Sequence, residues 1–309
     1  MENFYLPEGM FCDTGRCKYT LDELERAMFE GRVLQAKATV CDKDRNLHVD
    51  LGFCTGIIPK EEVLYNPSGL PVKDIAVITR VGKYVSFVVT DIEDDGCGTK
   101  VTLSRKLAQM ECCENYVKYL KSGDVIRVTV THMEPFGVFC DIGCGVAALL
   151  PIDCISVSRI GHPKERFFAG QKIKCVVRNV ERDICRVTLT HKELLGTWQE
   201  NADMFSPGDT VCGIVRSIEP YGVFVELAPN LAGLAEYCEE AVEGSTAAVY
   251  IKSIIPEKMK IKLVIVDASP VRCDRVSGEY FFEGKHMDEW RYSPKESVKQ
   301  IYTDFCDIE

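Results

Sequence analysis

The chain has 309 residues, of which 46% are hydrophobic and 27% charged, and its net charge is −10. This length leaves room for two or three compact domains, and the composition is typical of a folded rather than a disordered chain. No apolar stretch reaches the roughly 18 to 20 residues that cross a bilayer, and residues 1–20 lack the basic region and apolar segment of a secretory signal. We therefore expect a globular, cytoplasmic protein with no membrane partner.

The sixteen cysteines are spread through the apparent strands, and none of them shows Cys-x-x-Cys spacing. Most are expected to be free, buried thiols, because small thiols pack as hydrophobic groups and persist in a reducing cytosol. A metal site remains the alternative at the close pairs Cys12 with Cys17, Cys112 with Cys113, and Cys140 with Cys144. Metal ligands need convergent geometry that these spacings do not supply, so we predict no metal and no other cofactor.

Comparison of the chain with itself reveals a repeated module. The segment Glu134–Phe139 reads Glu-Pro-Phe-Gly-Val-Phe, and Glu219–Phe224 reads Glu-Pro-Tyr-Gly-Val-Phe. A weaker copy includes His48–Gly52, which aligns with Phe139–Gly143. The predicted organisation in chain order is an N-terminal segment (1–29), a degenerate first module (30–106), a linker helix (107–118), a second module (119–192), a linker helix (193–204), a third module (205–267) and a C-terminal extension (268–309).

Each module consists of short segments with period-two alternation, bounded by glycines. In the segment 173–178, for example, Ile173, Cys175 and Val177 are expected to face inwards, with Lys174 and Arg178 outwards. Several such strands in about 70 residues favour a small closed barrel, because closure removes exposed sheet edges. The linkers are rich in Leu, Ala, Met and Glu, which favours short helices. The predicted fold class is therefore all-β with short linker helices and three tandem barrels.

These modules resemble S1 domains, which are five-stranded OB-fold units that bind RNA. The resemblance covers all three repeats and depends on the whole pattern from Gly123 to Thr190, with its Gly-Asp-Val start, the Phe-Gly-Val-Phe motif and the closing Arg-Val-Thr-Leu-Thr strand. In such domains two aromatics of the motif, a loop histidine, an acid near the last turn and a basic residue that opens the final strand form the RNA surface. In the second module these positions hold Phe136 and Phe139, Pro151, Glu181 and Arg186, respectively.

The other two modules depart from this pattern. The third module keeps the aromatics as Tyr221 and Phe224 and the basic residue as Lys260, but Glu236 and Pro256 occupy the histidine and acid positions. The first module has Arg45 and His48 in place of the aromatics and Lys100 on its final strand. The resemblance therefore implies RNA contact mainly in the second module and protein contact for the first.

Exposed aromatic rings stack on bases of any sequence, with about 1 to 3 kcal/mol per base, while nearby cations hold phosphates. The alternative is that both rings belong to the core, where aromatics are usually buried. Basic residues outnumber acidic ones by 11 to 7 in 119–192, whereas the counts are 11 to 11 in 30–106 and 5 to 9 in 205–267. The second module is thus the strongest RNA candidate. The alternative is that its basic and aromatic residues form an ordinary solvated face. These residues are Arg159, Lys164, Arg166, Phe167, Phe168, Lys172, Lys174, Arg178, Arg182 and Arg186.

The C-terminal extension is too aromatic for a disordered tail, since it contains Glu279–Gly284, Trp290 and Tyr292. We expect it to pack on the third module, with a short terminal helix that starts at Pro294. No nucleotide-binding loop, metalloprotease motif or nucleophile elbow is present. Paired acids such as Glu239 and Glu240 fall in predicted turns. We therefore expect no catalytic residues and no enzyme activity.

The predicted function is single-stranded RNA binding. The resemblance to the bacterial ribosomal protein S1 family implies assistance to mRNA at the small ribosomal subunit during translation, with residues 30–106 in contact with that subunit. Two alternatives remain because a fold alone does not fix a function. One is an RNA-binding regulator or RNA-decay accessory that does not bind the ribosome. The other is an OB-barrel scaffold that holds protein partners.

Overall fold

The computed structural model describes residues 5–10, 18–67, 69–94, 98–272 and 278–306. Three closed five-stranded barrels follow one another along the chain, which confirms the predicted all-β class with short helices. Contacts divide the chain into two compact units. Unit 1 comprises Met1–Leu120, Asp141–Ala148 and Val180–Val187, whereas unit 2 comprises Lys121–Cys140, Leu149–Asn179 and Thr188–Glu309.

The barrels share one strand order, in which the first three strands are antiparallel neighbours and the fifth strand lies between the third and the fourth. Barrel 1 contains β1 (Leu34–Cys41), β2 (Leu47–Asp50), β3 (Thr55–Ile58), β4 (Tyr84–Asp94) and β5 (Thr99–Ser104). Barrel 2 contains β6 (Val125–Glu134), β7 (Gly137–Asp141), β8 (Ala147–Pro151), β9 (Lys172–Glu181) and β10 (Arg186–Thr190). Barrel 3 contains β11 (Thr210–Glu219), β12 (Gly222–Ala228), β13 (Leu231–Ala235), β14 (Ser245–Ile255) and β15 (Lys260–Arg272).

Within the ranges that the structure describes, four α-helices accompany the barrels: α1 (Leu21–Glu30), α2 (Asp74–Ile78), α3 (Arg105–Asn115) and α4 (Trp198–Ala202). Helix α1 starts with a capping box, because the Thr20 side chain accepts from the Glu23 N–H while the Glu23 carboxylate accepts from the Thr20 N–H. It ends at Gly31, which is left-handed at φ 63°. Leu24 and Ala27 of α1 are buried in the core of barrel 1. No helix in the described ranges is long and apolar enough to span a membrane.

A buried polar network holds unit 1 together. Glu8 accepts two hydrogen bonds from the fully buried Arg105 of α3, at 2.7 and 3.1 Å. The Glu8 N–H donates to Asp141 Oδ2 at 2.7 Å, and the N–H groups of Gly143 and Gly145 donate to Asp141 Oδ1. Buried charges are tolerated only when they are paired and hydrogen-bonded. This network therefore fixes the turn that follows β7.

Cysteines of unit 1 are not all free, because Cys113 of α3 and Cys185 form a disulfide. The turn before Cys185 is also held by Arg182, which donates to the carbonyl oxygens of Lys118 and Leu120. Elsewhere the prediction of buried free thiols is confirmed at five described cysteines: Cys112, Cys140, Cys144, Cys154 and Cys175. Cys12 and Cys17 lie outside the described residues.

In unit 2 an ion network joins barrel 2 to barrel 3. Glu226 of β12 accepts from both Arg166 and Arg216, and Arg216 also pairs with Glu165. Arg166 and Glu226 are buried. Within the same unit, the buried Asn230 accepts from the Val157 N–H at 2.9 Å and donates to the carbonyl oxygens of Lys192 and Gly196.

The C-terminal extension packs on barrel 3, which confirms that prediction. Met287, Trp290, Tyr292 and Phe305 lie in one hydrophobic cluster with the core of barrel 3. The same cluster includes Val176 of β9, so the extension also covers part of barrel 2. The extension carries a small antiparallel sheet of β16 (Glu289–Arg291) and β17 (Tyr302–Asp304).

The predicted terminal helix at Pro294 is wrong. Residues 294–297 form a turn, in which the Gln300 side-chain amide donates to the carbonyl oxygens of Pro294 and Ser297. The Ile301 N–H donates to Ser293 Oγ. The chain therefore reverses and pairs β17 with β16.

Tyr280 of the extension is attached to barrel 2 by a chain of hydrogen bonds. Its hydroxyl accepts from the Lys174 N–H at 3.1 Å and lies 3.3 Å from His191 Nε2. The hydroxyl proton therefore points to His191 Nε2, and His191 Nδ1 donates to the Ile155 carbonyl at 3.2 Å. Burial, together with the charge of Arg166, lowers the pKa of His191 to about 4.

This histidine should make the stability of unit 2 sensitive to acid. Between pH 6.5 and about 4 the unfolded chain protonates His191 but the folded chain does not, so the unfolding free energy should fall as the pH falls, by at most about 1.4 kcal/mol per pH unit. We expect His191→Gln to flatten this slope. The pH slope of the unfolding free energy is measured by urea unfolding, with the fluorescence of Trp198 and Trp290 as the signal. Both tryptophans are buried in unit 2. The exposed His132 provides a control, and an equal effect of His132→Gln would contradict the assignment.

The ion network should depend strongly on Glu226. Glu226→Gln leaves two arginines without their buried counter-charge, so we expect a loss of about 3 kcal/mol in the unfolding free energy. The matched control is Glu236→Gln, because Glu236 is exposed at the end of β13. The stability of both variants is compared through their urea unfolding midpoints. Equal midpoints would show that the ion network does not contribute to the unfolding free energy.

Candidate nucleic-acid interface

The repeated motif forms a tight hairpin in barrels 2 and 3. Pro135 and Phe136 occupy the turn between β6 and β7, and proline suits the first central position of such a turn because its φ is already fixed. In barrel 3 Glu219 pairs with Gly222 across the equivalent turn. The first aromatic of each motif therefore lies at a turn tip, where Phe136 is 56% exposed and Tyr221 68% exposed.

The motif glycine permits a close approach of two backbones. A Cβ on Gly137 would lie 2.5 Å from the Leu150 carbonyl oxygen, and one on Gly222 would clash with the carbonyl oxygen of Ala235. Any side chain at Gly137 would therefore push β7 away from β8.

Three rings meet on the surface of barrel 2. The rings of Phe136 and Phe139 form a T-shaped pair, with centroids 6.0 Å apart and planes at 87°. His132 of β6 stacks on Phe139 at 4.5 Å, with planes only 10° apart. Val138 and Cys140 face the core, so Phe139 points outwards and is half-buried by its neighbours. We call His132, Phe136 and Phe139 the aromatic platform.

Barrel 3 repeats two of these three rings. Tyr221 and Phe224 are 6.2 Å apart with planes at 90°, so their arrangement matches that of Phe136 and Phe139. Ser217 pairs with Phe224 across the strands and stands at the position that His132 has in barrel 2. The third ring is therefore missing from barrel 3.

The basic residues predicted on β9 have different surroundings. Lys172 is exposed and lies in register with Thr129, three residues before His132. Lys174 is half-buried, with its ammonium 5.5 Å from the ring centroid of Tyr280. Arg178 has an exposed side chain whose Nη1 lies 2.8 Å from Cys154 Sγ. The extension thus covers Lys174 and leaves Lys172 at the solvent.

The remaining predicted residues lie at strand ends. Arg186 begins β10 and forms an exposed ion pair with Glu181 at 3.9 Å, which contributes little in water. Lys260 begins β15, is exposed, and pairs in register with Ile255.

Two residues assigned to the basic and aromatic surface of the second module do not belong there. Arg166 is buried in the ion network with Glu226, and Phe167 is buried with its ring 5.2 Å from that of His191. The ion pair with barrel 3, which single-strand patterns do not show, takes Arg166 out of solvent, whereas Phe167 packs against His191.

Barrel 1 has no ring pair at the corresponding positions. His48 lies 3.1 Å from an Asp42 carboxylate oxygen, and this hydrogen bond is the largest cause that lowers the pKa of Asp42 to about 2. Arg45 pairs with Asp74 at 2.9 Å. His48 and Arg45 therefore each have an acidic partner.

His132 is the residue that the sequence interpretation missed. Period-two alternation holds along β6 up to Val130 and then breaks, since His132 is exposed where the pattern would place it inwards. In β11 a register shift between Val215 and Ser217 marks the same position. A β-bulge of this kind re-aims a side chain. The only sequence signal was an aromatic residue four positions before Phe136.

No group of three or more His, Cys, Asp or Glu side chains close enough to hold a metal ion occurs in the described part of the chain. Glu181 and Pro151 hold the predicted acid and histidine positions of the second module, and neither belongs to such a group in the described residues.

Comparisons with known proteins agree with this architecture. The family model described as "S1 RNA binding domain" matches residues 119–192. Small ribosomal subunit protein bS1 of Staphylococcus aureus is 31% identical over 287 residues, which cover 86% of this chain and 70% of that protein. The bS1 homolog of Bacillus subtilis is 29% identical over 198 residues, which cover 59% of this chain and 51% of that protein.

Among solved structures, a multidomain protein with nucleic acid binding domains from Streptococcus pneumoniae is 15% identical, with a TM-score of 0.25. The match covers 76% of this chain and 73% of that one. The extent of the sequence match to the Staphylococcus aureus protein, together with three barrels of one topology, establishes the relationship. The chain belongs to the family of small ribosomal subunit protein bS1.

Proposed function

We propose that this chain binds single-stranded RNA in the cytoplasm through barrel 2 and assists mRNA at the small ribosomal subunit. The observation that carries the proposal is the solvent-exposed aromatic platform. Exposed rings offer flat partners to unpaired bases of any sequence, and clusters of exposed apolar groups are typical of binding sites. This role is one of binding and requires no catalytic step.

Charge supports barrel 2 rather than barrel 3 as the main RNA site. Residues 119–192 carry a net charge of +4 and residues 205–267 a net charge of −4. A polyanion is attracted to the first and repelled by the second. Tyr221, Phe224 and Lys260 therefore act as a weaker, secondary site. Lys172 and Arg178 are exposed cations of β9, and they remain proposed phosphate contacts together with Arg186.

The platform is tested by a double variant. Phe136→Ala with Phe139→Ala should weaken binding to an unstructured RNA oligonucleotide at least tenfold, because each stacked base contributes about 1 to 3 kcal/mol. Fluorescence anisotropy with the full chain at several salt concentrations measures both the affinity and its salt dependence. Phe29→Ala is the control, since Phe29 of α1 is 93% exposed and outside the platform. Unchanged affinity in the double variant would rule out the platform as the RNA site.

For barrel 1 we propose protein contact at the small ribosomal subunit. Val40, Ile78 and Val81 are exposed and line one open hollow together with Arg45. Ile75, on the same short helix as Ile78, is also exposed. Clustered exposed apolar side chains are typical of protein contact sites.

This second role predicts separable effects. Ile78→Asp should reduce co-sedimentation with small ribosomal subunits at least several-fold and leave affinity for free RNA unchanged, since it places a charge in the apolar hollow. Val298→Asp introduces the same charge at a side chain that is 99% exposed on the extension. If Ile78→Asp co-sediments as well as Val298→Asp, barrel 1 does not dock through this hollow. If neither the variants nor the unaltered chain co-sediment with small ribosomal subunits, the result would favour an RNA-binding regulator that is independent of the ribosome.

A further inference from the structure

We propose that His132 and Phe136 are the two rings that receive bases on barrel 2, and that Phe139 is a positioning residue that holds both of them. This inference rests on the proposed RNA-binding function and assigns different tasks within it. It reverses the expectation that Phe139 is an equal partner of Phe136.

The arrangement of the three rings determines which of them has a face free to receive a base. His132 covers one face of Phe139, with centroids 4.5 Å apart and planes within 10°. The rings of Phe136 and Phe139 are perpendicular, with centroids 6.0 Å apart. Phe139 is half-buried between them, while His132 is exposed and Phe136 is 56% exposed. The free aromatic faces therefore belong to His132 and Phe136.

These two outer rings define what they can bind. His132 is nearly parallel to Phe139 and Phe136 is perpendicular to it, so His132 and Phe136 are nearly perpendicular to each other. Two bases that lie flat on them cannot stay stacked on one another. Unstacking costs a few kcal/mol per step, and the ring contacts have to supply it. The ligand is thus a single strand that turns between two unstacked nucleotides, and a duplex does not fit.

The imidazole offers more than a flat surface. Its nitrogens can donate to or accept from a base edge or a phosphate oxygen, which a phenylalanine cannot do. Stacking and hydrogen bonding are therefore separable by substitution. His132→Ala removes both contributions, whereas His132→Phe retains a ring of similar size and removes the hydrogen bond.

Barrel 3 supplies a matched control within the same chain. Ser217 pairs in register with Phe224, and the Tyr221–Phe224 pair has the same perpendicular geometry as Phe136–Phe139. Ser217→Ala changes the side chain at the corresponding position without loss of a ring. We expect no change in RNA affinity from this substitution.

The test uses the full chain and an unstructured RNA dodecamer with adjacent 2-aminopurine nucleotides. His132→Ala should weaken binding about 5- to 150-fold, which corresponds to one stacked base, and His132→Phe should stay within about threefold of the unaltered chain. Adjacent 2-aminopurine bases quench one another while they are stacked, so their separation on binding should raise the fluorescence, and this rise should be smaller in His132→Ala. Circular dichroism of each variant confirms the fold.

Phe139 requires a different readout, because its task is to hold its neighbours. In a double-mutant cycle, Phe139→Leu and His132→Ala should be non-additive, since the loss of Phe139 already releases His132. Full additivity would give Phe139 a base contact of its own and overturn its positioning role.

The outcomes separate this inference from the proposed function. If the unaltered chain does not bind the dodecamer, the proposed function fails. If Phe136→Ala weakens binding while His132→Ala has no more effect than Ser217→Ala, RNA binding stands and the role of His132 is refuted. If His132→Phe binds as weakly as His132→Ala, stacking on His132 is refuted.

Discussion

The close approach of two backbones at the motif glycine is the constraint on which the candidate interface depends. Only a hydrogen atom fits between Gly137 and the Leu150 carbonyl, and the same holds between Gly222 and Ala235. This contact keeps the second strand of the barrel against the third, places the preceding aromatic at the tip of a two-residue turn, and directs the aromatic two residues later outwards. Ring exposure is thus a consequence of barrel closure rather than a local feature of the aromatic residues.

One topology serves three surfaces of different chemistry. Barrel 2 presents rings on a basic module, barrel 3 presents two rings on an acidic module, and barrel 1 presents an apolar hollow whose neighbouring cations are paired with acids. The backbone order is identical in all three, so the differences come from side chains at a few positions near the hairpin turns. A fold of this kind positions a site without specifying its ligand.

Repeats and period-two alternation were sufficient to predict the barrels, because each strand has one face in a core. They were not sufficient for contacts that depend on neighbouring elements. Arg166 is buried because Glu226 of the next barrel pairs with it, and Lys174 is covered by Tyr280 from more than 100 residues later. His132 escaped prediction because a bulge breaks the alternation on which the assignment relied. The capping box at Thr20 and Glu23 was a readable signal for α1 that the barrel pattern did not include.

The shared hydrophobic cluster of unit 2 has a consequence for synthesis on the ribosome. Met287, Trp290 and Phe305 lie in one hydrophobic cluster with the strands of barrel 3, all of which are made earlier. Until those late residues leave the exit tunnel, the apolar surface that they cover stays open to water or to other chains. Barrel 1 has its own cluster, built from residues up to Leu103. The chain can therefore complete its first core during translation, whereas the core of barrel 3 waits for the extension.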